Sequence, residues 1–89
     1  MSECWVYVLR SLSDGRLYTG QTRDVEARLR RHNAGLVAAT KGRRPFVLLY
    51  QEACNTRSEA QKREAYFKTG KGRDELRELL EDRLEEPGM

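Results

Sequence analysis

The sequence predicts a small α+β domain in which a three-stranded sheet is covered by helices, with the element order ββαβαα. Two short runs, 4–10 and 16–21, are rich in β-branched and aromatic residues and are joined by Asp14-Gly15, a strong hairpin signal. A third apolar run, 46–51, lies between two segments that carry helix-capping residues. This run is apolar on both faces, so we expect its strand to be central or well covered.

The loop of the first hairpin decides how close its two tyrosines lie. A two-residue turn would pair Ser11 with Tyr18 and leave Tyr7 about 13 Å away along the sheet. A four-residue loop, 12–15, would pair Leu9 with Tyr18 and bring the tyrosines to roughly 7–8 Å as diagonal neighbours. Any loop of even length keeps both on one face. Packing in a sheet would by itself account for either tyrosine.

The first helix is predicted between two local signals. Asp24 offers an N-cap, and Gly35 can end the helix in the left-handed conformation. Between and just beyond them, Val25, Leu29 and Leu36 approximate one apolar stripe. We therefore expect this helix to pack against the sheet.

Two more helices are predicted after the third strand. The capping box 56–59 opens one that runs to about Lys68, where Gly70 and Gly72 break it. Asp74 is then expected to cap the last helix. The apolar face of that helix is predicted to consist of Leu76, Leu79, Leu80 and Leu84.

Composition places the chain among small domains with a thin core. Its 89 residues are 38% apolar and 35% charged, and we expect one domain over 1–86 with a short tail over 87–89. No apolar run approaches the ~20 residues of a membrane span, and no signal pattern opens the chain. We expect a cytoplasmic protein with no membrane partner. Cys4 and Cys54 match no metal-binding spacing and are predicted to be free, semi-buried thiols.

Charge is distributed unevenly along the chain. Residues 1–72 hold 14 Lys and Arg against 7 Asp and Glu, a net +7, whereas residues 73–89 hold 3 against 7, a net −4. A basic body favours a polyanionic partner such as nucleic acid, although solubilising charge would give a similar balance. The predicted phosphate-contacting residues are Lys41, Arg43, Arg44, Lys68 and Lys71.

The first helix carries two residues suited to phosphate chemistry. Arg28 and His32 are four positions apart, so they share a helix face that borders the apolar stripe and leans toward the sheet. A guanidinium can neutralise a phosphoryl group, and an imidazole can exchange protons. A histidine stabilised by the dipole at a helix end is the alternative for His32.

Glu64 stands out because it interrupts an apolar face. Ala60, Glu64 and Phe67 follow the spacing of one side of a helix, and an unpaired buried carboxylate is costly. The carboxylate therefore either pairs with an arginine such as Arg28 or holds a divalent cation. Mg²⁺ often takes only one or two carboxylates, with water and phosphate oxygens completing its shell. Both readings stay open from spacing alone.

The order of these motifs resembles the motif order of the GIY-YIG nucleases, and in particular that of their small stand-alone bacterial members. Two departures stand beside the match: Trp5 occupies the glycine position of the first motif and Thr19 the isoleucine position of the second. Neither replaces a reacting group. The matching segments are Trp5-Val6-Tyr7, Leu17-Tyr18-Thr19-Gly20, Thr22-x-Asp24, Arg28-Leu29-x-x-His32-Asn33-x-Gly35, Arg43-Arg44-Pro45 and Arg63-Glu64-x-x-x-Lys68.

The resemblance implies a three-stranded antiparallel sheet flanked by helices and hydrolytic cutting of nucleic acid. It further implies that Tyr7 and Tyr18 position or deprotonate the attacking water, that Arg28 neutralises the phosphoryl charge and that His32 assists. Glu64 would hold one divalent metal ion, Mg²⁺ or alternatively Mn²⁺. A tyrosine that acts as a base needs its pKa lowered from about 10 by a nearby cation.

Three functions are therefore weighed. The first is a metal-dependent endonuclease that selects DNA structure or strandedness with low sequence specificity. It acts on DNA rather than RNA, with repair or recombination as its setting. The second is a non-catalytic nucleic-acid-binding module with the same fold. The third is a protein-interaction adaptor that uses the acidic final helix. The full set of chemical residues favours the endonuclease, because a binding module needs only the basic face.

Overall fold

The central strand of the sheet is β1, which pairs antiparallel with β2 on one side and with β3 on the other. The computed structural model of the chain describes residues 4–84. The predicted order ββαβαα and the antiparallel sheet are confirmed. The elements are β1 (Cys4–Ser11), β2 (Leu17–Thr22), α1 (Val25–Asn33), a 3₁₀ turn (Lys41–Arg43), β3 (Phe46–Cys54), α2 (Arg57–Phe67) and α3 (Gly70–Leu84).

The β1–β2 hairpin adopts the register of a four-residue loop. Leu9 pairs with Tyr18, and Tyr7 pairs with Gly20. The loop is held by Ser11, whose side-chain oxygen accepts hydrogen bonds from the backbone N–H groups of both residues 13 and 14 at 3.1 and 3.0 Å. Gly15 takes a positive φ of 73° that other residues rarely adopt. This register places the two tyrosines on one face of the sheet.

β3 is an edge strand on which Val47 and Leu48 are 38% and 37% exposed, so it is neither the central nor the well-covered strand that its apolar run predicted. A register shift, at which Val8 pairs with Tyr50 but Leu9 pairs with Leu48, accounts for apolar residues at successive positions. Leu49 is therefore an extra residue on β3, and a bulge of this kind breaks the alternation of side chains. Leu49 and Tyr50 both pack against the same core cluster. Apolar side chains of β3 thus pack in the cores on both faces of the sheet, although β3 is an edge strand.

The two faces of the sheet carry separate cores. One face packs against α2 and α3 around Val6, Val8 and Phe67. The other packs against α1, where Tyr7, Leu9 and Phe46 are buried with Val25. Alternation along β1 produces this division, because successive residues of the strand point to opposite faces. Both faces of the central strand are thereby removed from water.

The predicted ends of α1 and the start of α2 are confirmed. The Asp24 carboxylate accepts a hydrogen bond from the N–H of Ala27, and Gly35 ends the turn after α1 with φ 78°. The Thr56 hydroxyl accepts from the N–H of Glu59 at 3.1 Å, as the capping box predicts. Leu36, however, is 61% exposed and does not continue the apolar stripe.

α3 begins at Gly70, four residues before the Asp74 cap that the sequence predicted. The hydroxyl of Thr69 accepts a hydrogen bond from the N–H of Gly72, and this contact caps the first turn. Gly72 does not break a helix but permits a close approach, since a Cβ there would lie 1.7 Å from the carbonyl oxygen of Tyr66. The glycine is needed where the end of α2 meets the start of α3.

α3 contributes fewer leucine side chains to the core than the sequence predicted. Leu76 and Leu80 are buried, but Leu79 is 42% exposed. The side chain of Leu84 lies outside the described residues, as do the predicted helix end and tail beyond it. In the part of the chain that the structure describes, no helix has the length and apolar character to cross a lipid bilayer.

An ion-pair network ties the α2–α3 layer to β3. Arg63 contacts Glu52 at 2.7 Å and Glu75 at 2.8 Å, and its guanidinium lies 4.3 Å from the ring centre of Phe67. Hydrogen bonds to Glu52, followed by those to Glu75, raise the pKa of Arg63 despite its partial burial. The charge is satisfied within the fold, so Arg63 serves the scaffold.

Candidate active site

Two tyrosines and a histidine meet where α1 crosses the hairpin. The ring centres of Tyr7 and Tyr18 are 6.4 Å apart, and that of His32 lies 5.8 and 5.1 Å from them. The hydroxyl of Tyr7 is 2.9 Å from Nε2 of His32. The strand pairing brings the tyrosines together, and the last turn of α1 adds the imidazole. The structure thus joins three of the site residues predicted from the sequence.

Gly20 makes room for this arrangement. A Cβ at this position would lie 2.7 Å from the hydroxyl oxygen of Tyr7, closer than real side chains approach. Gly20 is directly opposite Tyr7 in the sheet. The Tyr7 ring therefore lies across Gly20, toward the β2 edge of the sheet.

Thr40 completes a buried chain of hydrogen bonds and was not singled out from the sequence. Its hydroxyl oxygen is 2.7 Å from Nδ1 of His32 and 3.4 Å from the carbonyl oxygen of Val37. We assign the tautomer from these partners: Thr40 donates to Val37, Nδ1–H of His32 donates to Thr40, and Nε2 accepts from Tyr7. A threonine in a loop eight positions after a histidine gives no signal in one sequence.

His32 is not the exposed, charged helix-end residue of the alternative interpretation. It is fully buried, and burial together with the positive charge of Arg28 lowers the pKa of its imidazole. The next residue, Asn33, fixes the end of α1: its side-chain amide donates to the carbonyl of Phe46 at 3.1 Å and accepts from the N–H of Phe46 at 2.7 Å. The imidazole is therefore neutral at neutral pH and held in one place.

Tyr7 is also neutral. Burial, followed by the proximity of Tyr18, raises the pKa of its phenol well above the ordinary value, and Glu64 adds to this. Arg28 acts in the opposite direction but does not compensate. The expected lowering of a tyrosine pKa is therefore wrong for Tyr7, because loss of hydration outweighs the neighbouring cation. The phenol keeps its proton and donates a hydrogen bond to Nε2 of His32.

Tyr18 and Arg28 are the more accessible members of the site. Both side chains are half-buried. Within residues 4–81, the Tyr18 hydroxyl has no hydrogen-bond partner and Arg28 has no ion-pair partner. The charge of Arg28 nevertheless acts on both Tyr7 and His32. A guanidinium without a carboxylate partner suits a phosphate ligand.

Glu64 lies on the core side of α2 between two buried residues, Ala60 and Phe67, as its spacing predicted. Its ion-pair partner is Lys68 at 2.8 Å, and not Arg28 as the sequence suggested. The i, i+4 pair is asymmetric, because the side chain of Glu64 is 22% exposed and that of Lys68 is 55% exposed. The lysine can swing into water while the carboxylate stays near Tyr7.

This donor set fits a cation that needs only one protein ligand. Among the described residues, no group of three or more His, Cys, Asp and Glu side chains is placed to hold a metal ion. A single carboxylate whose side chain is 22% exposed fits Mg²⁺, which keeps most of its water ligands. It does not fit a metal that requires a closed shell of protein ligands.

The five predicted phosphate-contacting residues differ in their partners within the fold. Arg43 pairs with Asp14 at 3.0 Å, and its guanidinium lies 5.6 Å from the ring centre of Phe46, so it also supports the hairpin. Arg44 donates to the backbone carbonyl of Lys41. Lys68 pairs with Glu64 on α2. Lys71 is exposed in the first turn of α3. Contact of these residues with phosphate stays a prediction.

Comparison with known proteins gives a consistent match over most of the chain. The family described as "GIY-YIG catalytic domain" matches residues 3–77. A UPF0213 protein of Staphylococcus haemolyticus is 45% identical over 84 residues, which cover 93% of this chain and 100% of the relative. A UPF0213 protein of Staphylococcus aureus is 48% identical over 82 residues, with 91% and 99% covered. The solution NMR structure of a UPF0213 protein from Bacillus halodurans superposes with a TM-score of 0.52 at 35% identity, over 85% of this chain and 83% of that one.

Proposed function

Because the chain belongs to the GIY-YIG catalytic domain family, we propose that it is an endonuclease that hydrolyses phosphodiester bonds in DNA. The family is typical of nucleases, and the proposal extends that activity to this chain. The small domain formed by the described residues offers little surface for base-specific recognition. We expect binding through phosphates, which position a substrate without reading its sequence.

One observation carries the proposal: the buried hydrogen-bond chain from Tyr7 through His32 to Thr40, next to charges of both signs. A tyrosine that only packs needs no imidazole aimed at its hydroxyl. Nor does it need a guanidinium and a carboxylate close enough to act on that hydroxyl, as Arg28 and Glu64 do. This combination supports proton transfer next to a phosphate better than it supports simple packing.

The chain suggests how water is activated without a phenolate. In hydrolysis the water oxygen bonds to phosphorus, the bond from phosphorus to the leaving oxygen breaks, and the leaving oxygen takes up a proton from solvent. Tyr7 accepts a proton from the attacking water while its own proton passes to Nε2 of His32. The phenol stays neutral throughout, which suits its raised pKa. Because His32 is fully buried, the imidazolium that forms returns its proton by the same path, to the hydroxyl of Tyr7, which passes a proton back to water.

The remaining residues have electrostatic and positioning roles. Arg28 is the cation available to the phosphoryl oxygens, because it forms no ion pair among residues 4–81. The free hydroxyl of Tyr18 orients the water or a phosphate oxygen. Glu64 would hold a divalent cation, Mg²⁺ or Mn²⁺, which as a Lewis acid would stabilise charge on the phosphate. Lys68 would have to leave the carboxylate for this.

The test is cleavage of labelled strands by the purified chain. Single-stranded, duplex and flapped DNA and single-stranded RNA are each incubated with Mg²⁺, with Mn²⁺ and with chelator. We expect cation-dependent cleavage of at least one DNA substrate, and Glu64→Ala should abolish it without loss of binding. Binding without cleavage in every condition would favour the non-catalytic binding module. If the chain neither cleaved nor bound these strands, both the endonuclease and the nucleic-acid-binding module would be excluded.

A further inference from the structure

An open groove runs between the free edge of β2 and the α2–α3 layer, with a volume of about 490 Å³. This is within the range of about 300–1,000 Å³ that ligand sites in proteins typically show. The groove was not foreseen from the sequence, because it joins the start of β2 to residues more than 45 positions later. Its lining residues include Arg16, Leu17, Tyr18, Lys68, Arg73 and Arg77.

The walls of the groove are cationic. Arg16, Lys68, Arg73 and Arg77 line it, and no carboxylate does. Among the side chains of residues 4–81, only Lys68 of these four has an ion-pair partner, namely Glu64. Arg73 and Arg77 are one helical turn apart and exposed, so their guanidinium groups project from the same side of α3. Three uncompensated guanidinium groups around one concavity create a positive potential that attracts an anion.

The floor of the groove is apolar. Leu17 is 37% exposed there, on the face of β2 opposite to the ring of Tyr18. The buried side chains of Phe67 and Leu76 form its base. An apolar floor between cationic walls suits a ligand that has both phosphates and accessible flat rings. An inorganic anion or an acidic peptide would leave this floor without a complementary group.

The groove adjoins the candidate active site through two shared residues. Tyr18 belongs to both, since it lines the groove and contacts the ring of His32. Lys68 lines the groove and contacts Glu64. A strand that enters the groove is therefore led to the hydroxyls and the carboxylate at which cleavage is proposed.

We propose that this groove binds an unpaired stretch of nucleic acid next to the phosphate that is cut; the proposal rests on the proposed function. Arg16, Arg73 and Arg77 contact successive phosphates, and the bases or sugars lie on the exposed side chain of Leu17. In a duplex the bases are stacked and paired, so only phosphates and groove edges would reach the surface, and the apolar floor would be unused. In a single strand every base offers a flat face. The groove thereby favours substrates with a single-stranded segment.

The first test measures binding in the presence of chelator, so that it is independent of cleavage. The double variant Arg73→Gln/Arg77→Gln is compared with Arg30→Gln/Lys62→Gln, which removes the same charge from exposed helix positions outside the groove. For a single-stranded thymidine oligonucleotide we expect the groove variant to lower the log–log salt slope by up to ~1.4, at ~0.7 for each lost phosphate contact. The control variant should change it little. For duplex DNA the two variants should behave alike.

Two results would overturn the proposal. The first is an equal loss of single-strand affinity in the groove variant and the control, which would mean that only net charge matters. The second is an equal loss for single-stranded and duplex DNA in the groove variant, which would remove the preference for an unpaired strand.

A second test addresses the floor. The wild-type chain should bind the thymidine strand more tightly than an abasic strand with the same number of phosphates, and Leu17→Thr should reduce this difference. Equal affinity of the wild type for both strands would refute base contact. These binding results are separable from the proposed function. If the chain prefers single-stranded DNA and the thymidine strand but never cleaves, only the proposed nuclease function is overturned. If it cleaves without these two preferences, only the proposed role of the groove is overturned.

Discussion

The hydroxyl of Tyr7 donates a hydrogen bond to Nε2 of His32 over 2.9 Å, although the two residues are 25 positions apart. Both side chains are at most 1% exposed. A buried tyrosine–histidine pair of this kind fixes the tautomer of the imidazole and the direction of the phenolic proton at once. The candidate site is thereby organised before any substrate arrives.

Removal of the Tyr7 hydroxyl tests whether this pair has a chemical role. Tyr7→Phe keeps the ring on Gly20, so fold and DNA affinity should persist while single-turnover cleavage falls by about 10²–10⁴. Tyr18→Phe should have a similar effect, and the double variant should be little worse than the more severe single one, because both act on one water. Tyr50→Phe is the matched control, a strand tyrosine whose hydroxyl donates to Glu52 on the other face. Wild-type rates in both single variants would contradict the mechanism.

Thr40 should act as a positioning residue. Thr40→Val keeps the shape but leaves Nδ1–H of His32 without its acceptor, and an unsatisfied buried donor costs about 1–3 kcal/mol. We expect reduced thermal stability and slower cleavage. Thr40→Ser restores the hydroxyl and should recover most of both. NMR of the His32 ring nitrogens reads the tautomer directly; an unchanged spectrum in Thr40→Val would refute the assignment.

The pH dependence of stability should carry a signature of His32, the single histidine of the sequence. Burial and Arg28 lower the pKa of the folded imidazole below its unfolded value of about 6.5. Between the two values the unfolded chain binds more protons, so stability rises with pH. The contribution is complete above about pH 6.5 and declines as the pH falls through that value.

The measurement is a series of thermal melts between about pH 5 and pH 8. Wild type should lose stability in the acidic half of this range. His32→Gln should show a flatter profile, although it is less stable throughout. Asp14 and Glu75 also have lowered pKa values, but carboxylates change the stability at more acidic pH. Parallel profiles for wild type and His32→Gln would show that the imidazole does not titrate as its burial implies.

The Glu64–Lys68 ion pair predicts opposite effects of its two partners on the cation requirement. Lys68→Met removes the ammonium that competes for the carboxylate, so half-maximal cleavage should need less Mn²⁺. Glu64→Gln should remove cleavage at any Mn²⁺ concentration and weaken Mn²⁺ binding measured by paramagnetic resonance. The control is Glu26→Gln, at the other i, i+4 pair of a helix, with Arg30. A normal Mn²⁺ profile in Glu64→Gln would exclude the carboxylate as a ligand.

Local signals sufficed where one physical rule dominated. Strand alternation with an even loop put Tyr7 and Tyr18 on one face, and the Asp24 cap and Gly35 set the limits of α1. Helical spacing likewise put Glu64 between two buried positions. Each of these inferences needs only neighbours within one element or one hairpin. The family resemblance added the antiparallel pairing of the third strand.

The remainder depends on contacts between distant segments. Nothing local to Thr40 shows that it meets His32 across a loop, and the sequence analysis named Arg28, not Lys68, as a partner for Glu64. Gly72 resembles a helix breaker until the carbonyl of Tyr66 is seen beside it. The groove cations are likewise brought together by tertiary packing alone. Single-sequence reasoning identifies chemical groups more readily than their partners.

The bulge at Leu49 makes the length of β3 critical. Phe46 and Cys54 are eight positions apart and would share a face under strict alternation, yet they serve opposite cores because one extra residue intervenes. Phe46 also exchanges two backbone hydrogen bonds with the side chain of Asn33, the neighbour of His32. A one-residue deletion in β3 would therefore turn Phe46 away and release the end of α1. Related chains should thus accept substitutions along this edge far more readily than insertions or deletions.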